Sequence, residues 1–279
     1  MSDIAAADAR RAREAALVRR LRDLPSLVIA YSGGVDSAYL ALVATATLGS
    51  RALAVTADSP SYPDRHRAMA IGVARQFGVA HEFIRTDELA QPAYRANGPD
   101  RCYHCKHELY AQLTQLAADR GFAAVADGSN ADDRGDYRPG RQAAREYGVI
   151  SPLDEAGLTK EDIRALSHEA GLPTWDEPAS ACLSSRVPYH SEVNEEKLRA
   201  IEAAEEALRA LGFRVVRVRH HGDVARLEVA PAELPRLVEP AMAAAADAAV
   251  RRAGFRYVAV DLRGYRLGSL NEGLTLTPV

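Results

Sequence analysis

A short run of glycines, serines and one aspartate is the part of the sequence best suited to chemistry. The run Ser32-Gly33-Gly34-Val35-Asp36-Ser37 follows the apolar residues Leu27-Val28-Ile29-Ala30, which predict a buried strand, and it precedes a helix pattern. Glycines at such a turn let backbone N–H groups approach an anion, and the helix N-terminus adds the positive end of its dipole. The serine hydroxyls can donate further hydrogen bonds, and the aspartate offers the oxygen ligands that Mg²⁺ prefers. The run therefore predicts a cradle for a magnesium-bound pyrophosphate.

The simpler interpretation of this run is a structural turn that binds no ligand. A Gly-Gly pair between a strand and a helix is often only a tight turn, and Asp and Ser are ordinary helix-start residues. The full string is more specific than either feature alone. It is not a Walker A loop, because the sequence contains no Gly-Lys-Ser or Gly-Lys-Thr and so lacks the lysine that reaches the β- and γ-phosphates. A Gly-x-Gly-x-x-Gly fingerprint is also missing from the sequence.

The three cysteines are the next residues that could carry chemistry. Cys102-Tyr103-His104-Cys105 forms a Cys-x-x-Cys pair, and Cys182 is the third thiol. The pair could be two unrelated thiols. A zinc site would need another pair of ligands, for which the sequence offers Cys182 together with His104, His107 or His168. A [4Fe–4S] cluster held by all three cysteines would be one thiolate short of the usual four and would leave one iron open.

The segment Asp176–Tyr189 is rich in Pro and Ser, has little periodicity and is predicted to be both a linker and an active loop. Cys182 lies within it, in the small-residue stretch Pro178–Arg186. A cysteine beside an arginine is a candidate for a reactive thiolate, here with Arg186 as the neighbour. A lone loop cysteine is more often structural. The position of this one after a complete nucleotide-binding domain favours the reactive interpretation.

Arg217 and Arg219 lie two residues apart in a predicted strand, so both guanidinium groups project from one face of the sheet. Arg226, across a predicted hairpin, could join them. Arginine forks match phosphates and carboxylates. A solvated strand face is the simpler interpretation, and a structural network with glutamates of the preceding helix is another: Glu202, Glu205 and Glu206.

Composition limits the class of protein. The chain has 279 residues, 47% of them hydrophobic, and a formal net charge of −3, which argues against a general nucleic-acid-binding surface. No apolar run approaches the length of a membrane span, and charged residues interrupt the N-terminal region where a signal peptide would be apolar. We therefore expect a cytoplasmic protein with neither a nucleic acid nor a membrane as partner. Three cysteines do not suggest a disulfide framework.

Strands and helices alternate with short connections, which predicts an α/β fold with a doubly wound parallel sheet. Ligands bind at the carboxyl ends of strands in such sheets, where Ser32–Ser37, Asp58 and Asp127–Asn130 fall. We expect a first domain over residues 1–177 and a smaller α/β domain over 178–279. The predicted strands cover residues 27–30, 51–57, 81–86, 122–126, 213–220, 224–230 and 255–262, and the predicted helices 5–23, 38–44, 66–77, 105–120, 195–211 and, with breaks, 231–253.

Together these motifs resemble the LarE family of ATP-dependent sulfur transferases, which make a nickel-pincer nucleotide cofactor. The loop itself resembles the PP-loop of the ATP pyrophosphatases, a superfamily with an adenine nucleotide alpha hydrolase-like fold. The resemblance extends from about residue 15 to Asn271, and the segment around Cys182 is its most specific part. The motifs occur in the family's order: Ser32–Ser37, Asp127-Gly128-Ser129-Asn130, Arg138-Pro139-Gly140, Ser151-Pro152-Leu153, Pro178–Pro188 and Arg217-Val218-Arg219.

The resemblance implies an activity. ATP and Mg²⁺ would adenylate a carboxylate of pyridinium-3,5-biscarboxylic acid mononucleotide, sulfur would displace AMP, and a thiocarboxylate would form. Cys182 matches the sulfur-bearing nucleophile, and in the sacrificial version it ends as dehydroalanine. The resemblance also places Arg186 and Glu205 at the catalytic site. It implies that ATP and pyrophosphate are bound by Ser32, Gly33, Gly34, Asp36, Ser37, Asp58, Asp127 and Ser129, with Asp36 near Mg²⁺. It implies that the small-molecule nucleotide substrate is bound by Tyr103, Arg217, Arg219 and Arg266.

Cys102 and Cys105 set this chain apart from the sacrificial pattern. If they approach Cys182, the three could hold a [4Fe–4S] cluster whose open iron delivers an added sulfide. The alternatives are a tRNA thiolase with the same cluster, an ammonia-dependent NAD or GMP synthetase, and a non-enzymatic ATP-binding sensor. The resemblance also implies a ring-like homo-oligomer, which we expect here.

Overall fold

The computed structural model describes residues 2–135, 139–178, 181–266 and 268–269. Some residues of the predicted motifs therefore lie outside the described residues. They are Arg138 of the Arg138-Pro139-Gly140 motif, residues 179–180 of the Cys182 loop, and residues 267 and 270–271 at the end of the stretch that the resemblance covers. The chain forms two compact units. The first contains Met1–Glu88 and Cys102–Ser180, and the second contains Leu89–Arg101 and Ala181–Val279. The segment Leu89–Arg101 thus groups with the C-terminal unit, which the domain prediction, with its single boundary at 177/178, did not anticipate.

The first unit is built on a parallel sheet with the strand order β3-β2-β1-β4. Strands β1 and β4 are neighbours although the chain visits β2 and β3 between them, so the strand order reverses there. This is the topological switch point at which doubly wound sheets bind ligands. Its strands are β1 (Leu27–Ala30), β2 (Ala52–Asp58), β3 (His81–Arg85) and β4 (Ala124–Ala126), and its helices are α1 (Ser2–Arg22), α2 (Val35–Leu48), α3 (Asp64–Gln76), α5 (Arg101–Arg120, whose first residue belongs to the second unit), α6 (Pro139–Glu146), α7 (Pro152–Glu155) and α8 (Lys160–Glu169).

Strand β1 is covered on both faces, which explains why it is apolar without alternation. Leu27 and Ile29 pack into a core that includes residues of α1, α2 and α8. Val28 and Ala30 point the other way, into a core shared with α5 and α6. All four side chains are buried. Helices therefore flank both sides of the sheet, and the predicted α/β fold with a parallel sheet is confirmed.

Helix α5 begins earlier than the sequence predicted. It starts at Arg101 instead of Cys105, so both cysteines of the Cys-x-x-Cys pair lie within its first two turns. Helices α6, α7 and α8 were not predicted. Helix α8 has a clear start signal, since Thr159 accepts a hydrogen bond from the Asp162 N–H while the Asp162 side chain accepts one from Thr159.

The second unit carries a mixed three-stranded sheet of order β5-β6-β7. Strands β5 and β6 form the predicted hairpin, in which Arg219 lies directly opposite Arg226, and β7 pairs with β6 in parallel. No helix in the described part of the chain is long and apolar enough to cross a membrane. The elements of this unit are α4 (Pro92–Arg95), α9 (Glu195–Ala210), β5 (Val216–His221), β6 (Val224–Val229), α10 (Leu234–Leu237), α11 (Pro240–Arg252) and β7 (Tyr257–Val260).

Candidate functional site

The loop between β1 and α2 is organised by its own serines. The Ser37 hydroxyl donates to the Gly34 carbonyl at 3.1 Å and accepts from the Ser32 N–H at 3.2 Å. The Ser32 and Ser37 hydroxyls lie 3.1 Å apart. Gly34 is the N-cap of α2 and, as a glycine, has no side chain that could cap the helix, while its own N–H donates to the Ser32 hydroxyl at 3.4 Å. The loop therefore presents backbone donors at a helix N-terminus, as an anion site requires.

Two glycines allow backbone segments to come close around this loop. Gly33 has a φ of +70°, and a Cβ built on it would lie 2.9 Å from the Ala70 Cβ. Gly128, in the loop after β4, approaches so closely that its Cβ would lie 3.0 Å from the Ser37 nitrogen. Two loops from neighbouring strands thus meet at the switch point, and larger residues would separate them.

Asp36 does not stand alone in this loop. It forms an ion pair with the Lys160 ammonium, at the first residue of α8, and accepts a 3.4 Å hydrogen bond from Asn130. Sequence reasoning noted that a Walker lysine is missing but overlooked Lys160. The structure places this lysine beside the Ser32–Ser37 loop (the phosphate loop below), where its cation could face a polyphosphate. The sequence signal that could have located it is the Thr159–Asp162 capping box, which fixes Lys160 at the start of a helix.

Asp127 shapes the loop after β4. Its buried carboxylate accepts hydrogen bonds from the Tyr110 hydroxyl at 2.9 Å, the Ser151 hydroxyl at 2.8 Å, and both the N–H and the hydroxyl of Ser129 at 3.0 Å. Burial and the neighbouring Asp127 raise the pKa of Tyr110 well above its usual value, so this phenol stays a donor. Asp127 and Ser129 therefore hold the loop's backbone in the shape that meets Ser37.

The loop after β2 is also fixed by a carboxylate. Asp58 forms a two-pronged ion pair with Arg67. The next residues are tied to Glu88, which is buried and accepts from the Ser59 hydroxyl at 2.6 Å and from the Ser61 hydroxyl. This loop lies at the same edge of the sheet as the phosphate loop, since the Tyr62 hydroxyl donates to the Ser32 carbonyl at 3.0 Å.

In the second unit, Cys182 is the N-cap of a short 3₁₀ helix, Leu183–Arg186. Its carbonyl accepts from Arg186 at 2.9 Å and from the Ser185 hydroxyl at 2.8 Å. Arg219 on β5 donates to the Ser185 carbonyl at 2.8 Å. The thiol is partly exposed. The cysteine predicted to be reactive thus sits at the open end of a turn held by two arginines.

Arg186 and Glu205 form a buried ion pair, each 2% exposed. The two oxygens of Glu205 accept from Arg186 at 2.8 and 3.0 Å, and Glu205 also binds Arg209 and the Val218 N–H. Burial raises the pKa of Glu205, but the charge and hydrogen bonds of Arg186 outweigh it and bring that pKa to about 2. The glutamate is therefore ionised and locks the turn that carries Cys182.

Buried positive charge exceeds buried negative charge in the described part of the second unit. Burial and the charge of Arg186 lower the pKa of Arg217 to about 10, so holding this cation in the protein interior is unfavourable. The Nε atom of Arg219 is buried without a hydrogen-bond partner among the described residues. Both features favour an anionic ligand. The buried charged residues are Arg101, Arg186, Arg217 and Arg219 against Glu205 and Glu228.

Comparisons with known proteins identify the family. A profile of the asparagine synthase family matches residues 8–98. An uncharacterised protein of Synechocystis sp. is 46% identical, covering 91% of this chain and 94% of its own length. The pyridinium-3,5-bisthiocarboxylic acid mononucleotide synthase of Lactiplantibacillus plantarum is 38% identical, covering 94% of this chain and 95% of its own. The chain belongs to the LarE family. It is therefore an ATP-dependent enzyme and a sulfur transferase of nickel-pincer cofactor synthesis. An uncharacterised protein of Methanocaldococcus jannaschii is 30% identical over 73% of this chain and 77% of its own length.

The remaining predicted site residues of this LarE-family chain fall into separate surroundings. The Arg266 side chain donates to the Gly264 carbonyl at 3.0 Å. Tyr103 on α5 donates to Glu146 on α6 at 2.8 Å. Cys102 is exposed and Cys105 partly exposed, and neither forms a disulfide. Tyr103 and these two thiols belong to the first unit, whereas Cys182 and Arg266 belong to the second.

No group of three or more His, Cys, Asp or Glu side chains in the described residues is arranged to hold a metal ion. The roles assigned to individual residues of this LarE-family chain are therefore argued from chemistry below.

Proposed function

We propose that the protein converts a carboxylate of pyridinium-3,5-biscarboxylic acid mononucleotide into a thiocarboxylate at the expense of ATP. The printed name of the Lactiplantibacillus plantarum relative gives the bisthiocarboxylic acid mononucleotide as product. The observation that carries the proposal is the position of Cys182, at the start of a turn whose carbonyls are held by Arg186 and Arg219, in a unit that also buries Arg217. A thiol and an anion site thus lie in one unit of an ATP-dependent enzyme.

Adenylation is the first step. A substrate carboxylate oxygen attacks the α-phosphorus of ATP and pyrophosphate leaves, which turns a poor electrophile into an acyl adenylate. The backbone of Ser32, Gly33, Gly34 and Ser37 cradles the pyrophosphate, and Lys160 balances its charge. The Asp36 carboxylate, partly exposed beside this loop, fits a Mg²⁺ ion, which would neutralise phosphate charge. Asp58, Asp127 and Ser129 hold the surrounding loops at the same edge of the sheet.

Arg217 and Arg219 bind the anionic groups of the substrate. Arg217 stacks on Tyr265, with its guanidinium carbon 5.1 Å from the ring centroid, so its planar group is held in a fixed orientation. A phosphate or second carboxylate would satisfy the buried Arg219 Nε and relieve the excess positive charge. We include Arg266 and Tyr103 in the substrate site on the strength of the family resemblance.

Cys182 supplies the sulfur in the sacrificial version of the reaction. Its thiolate attacks the acyl carbon, AMP leaves, and an enzyme thioester forms. Loss of the cysteine Cα proton to a base then breaks the Cβ–S bond, and the bonding electrons stay with sulfur. The products are a thiocarboxylate and dehydroalanine at residue 182. Arg186, through the ion pair with Glu205, keeps a positive charge beside the thiolate.

A second version uses a [4Fe–4S] cluster held by Cys102, Cys105 and Cys182. All three thiols are free, but the described residues show no group of three side chains gathered to hold a metal, so no step is assigned to the cluster, whose open iron would bind an added sulfide. In this version Cys182 survives turnover.

Pyrophosphate release from ATP with the biscarboxylate nucleotide tests the proposal. Wild-type protein and Cys182→Ser should both release pyrophosphate, because adenylation needs no thiol, and only wild-type protein should form the thiocarboxylate. A Cys102→Ser, Cys105→Ser double variant that still forms product would support the sacrificial version. Pyrophosphate release that requires tRNA in place of the nucleotide would refute the proposed substrate.

We further propose a homo-oligomer formed through the second unit. Large apolar side chains of this unit are exposed: Val238 by 58%, Tyr257 by 50% and Leu262 by 89%. Sedimentation equilibrium should give a mass that is a multiple of the monomer's 30.1 kDa. A monomer at all concentrations would contradict this assignment.

A further inference from the structure

The segment Leu89–Arg101 leaves the first unit and joins the second, and it has no assigned role. Its centre is Asn97, which is fully buried and has a φ of +55°. A non-glycine residue in this left-handed region is uncommon, and it persists only where surrounding contacts enforce it. The contacts of Asn97 therefore indicate what the segment holds.

Asn97 binds the loop that follows Cys182. Its side-chain amide donates to the carbonyls of Val187, Pro188 and Ser191, at 3.2, 2.7 and 3.0 Å. Its own carbonyl accepts from the His190 N–H at 3.0 Å. The two N–H groups of one buried side chain are thus shared among three carbonyls of a loop that has no regular secondary structure to satisfy them.

Two neighbours of Asn97 bind the turn itself. Arg101, which is 4% exposed, donates to the Asn97 side-chain oxygen at 2.5 Å and to the Ser184 carbonyl at 2.8 Å. The Tyr94 and Ser184 hydroxyls lie 2.6 Å apart, and both residues are buried. The 3₁₀ turn after Cys182 is therefore held by this segment on one side and by Glu205 and Arg219 on another.

We propose that Asn97 and Arg101 are positioning residues that fix the direction of the Cys182 thiol for sulfur transfer. This inference rests on the proposed function of Cys182. The phosphate loop lies in the other unit and makes no use of these contacts, so adenylation should not depend on them. Misplacement of a reacting group by about 1 Å can lower a rate about 10²-fold, and that is the effect expected on sulfur transfer.

Asn97→Asp tests the proposal, because it keeps the size of the side chain but points oxygen at three carbonyls. We expect unchanged pyrophosphate release and about 10²-fold slower thiocarboxylate formation. We also expect faster alkylation of Cys182, measured by peptide mass spectrometry against Cys102 as an internal reference. Loss of the Asn97 contacts would thus make the Cys182 thiol more accessible to the alkylating reagent but slower in sulfur transfer. His190→Gly is the matched control, since His190 has a φ of +63° in the same loop and is exposed. It should match wild-type protein in all three measurements.

Arg101→Lys and Arg101→Met separate hydrogen bonding from packing. The lysine variant keeps a buried donor and should retain more sulfur transfer than the methionine variant. The proposal is overturned if Asn97→Asp transfers sulfur at the wild-type rate. It is also overturned if pyrophosphate release falls in parallel while all three cysteines alkylate faster, which would indicate general unfolding. If wild-type protein forms no thiocarboxylate at all, the proposed function fails, and the ratio of Cys182 to Cys102 alkylation still reports whether Asn97 and Arg101 fix the Cys182 thiol.

Discussion

The buried Arg186–Glu205 pair gives the sharpest test of the second unit. Glu205→Gln keeps the volume of the side chain but removes its charge, leaving Arg186 buried without its counter-ion. The pKa of Glu205 is about 2 in the folded protein against an ordinary 4.5. At about 1.4 kcal/mol per pH unit this corresponds to about 3 kcal/mol of stability at pH 7. Breaking a buried ion pair from one side costs a similar amount, about 3–5 kcal/mol.

The sign of the pH dependence follows from the lowered pKa. The folded state binds the Glu205 proton less tightly than the unfolded state, so the stabilisation is complete above pH 4.5 and is lost as the pH falls through about 2. The stability difference between wild-type protein and Glu205→Gln should therefore be about 3 kcal/mol at pH 7 and about 1 kcal/mol at pH 3. Using the difference cancels the titration of other carboxylates.

Urea unfolding at the two pH values measures this difference. Glu206→Gln is the matched control, because Glu206 is the next residue of α9 and pairs with Arg209 at the surface, where its side chain is 47% exposed. Such a pair contributes about 0–1 kcal/mol. Equal effects of the two substitutions, or a Glu205→Gln effect that does not shrink at pH 3, would refute the assignment of a buried, ionised Glu205.

Three further predictions concern the anion sites. Gly33→Ala should weaken ATP binding in a titration and destabilise the protein by about 1–3 kcal/mol, because its φ is +70° and its Cβ would meet Ala70; Gly78→Ala, with a φ of +65° and open space around it, should leave ATP binding unchanged. Lys160→Met should slow pyrophosphate release about 10²-fold, and a wild-type rate would exclude this lysine from the phosphate site. Arg217→Met should raise the thermal midpoint, since burial lowers the pKa of Arg217 to about 10 and the charge is costly, yet abolish stabilisation by inorganic phosphate. Phosphate stabilisation equal to that of wild-type protein would contradict the last prediction.

Local patterns predicted the elements that depend on neighbouring residues. The apolar run Leu27–Ala30 and the glycines after it were sufficient to predict β1 and the turn into α2, because both depend on local geometry. The start of α5 was placed too late. Cysteine, tyrosine and histidine are weak helix formers, so the first turns of α5 carry a weak helix signal, although Pro99 and Asp100 just before Arg101 are helix-start residues.

Pairings between distant parts of the chain could not be predicted. Asp36 and Lys160 are 124 residues apart, and Asn97 and Val187 are 90 apart. Each pairing depends on how helices and loops pack, which no local periodicity encodes. The sequence suggested strand arginines as partners for Glu205, whereas the structure pairs it with Arg186 from the turn and Arg209 from its own helix. The sequence therefore predicted the arginines of this strand but not the residues that pair with Glu205.

Intact-protein mass spectrometry before and after turnover tests the central claim most directly. Anaerobically prepared protein, with its iron content recorded, is incubated with MgATP and the biscarboxylate nucleotide, and the product is analysed alongside. The account predicts a thiocarboxylate product together with pyrophosphate. Loss of the mass of hydrogen sulfide at Cys182 identifies sacrificial transfer, and an unchanged protein mass with product identifies delivery through the three cysteines. Absence of both product and pyrophosphate would contradict the account.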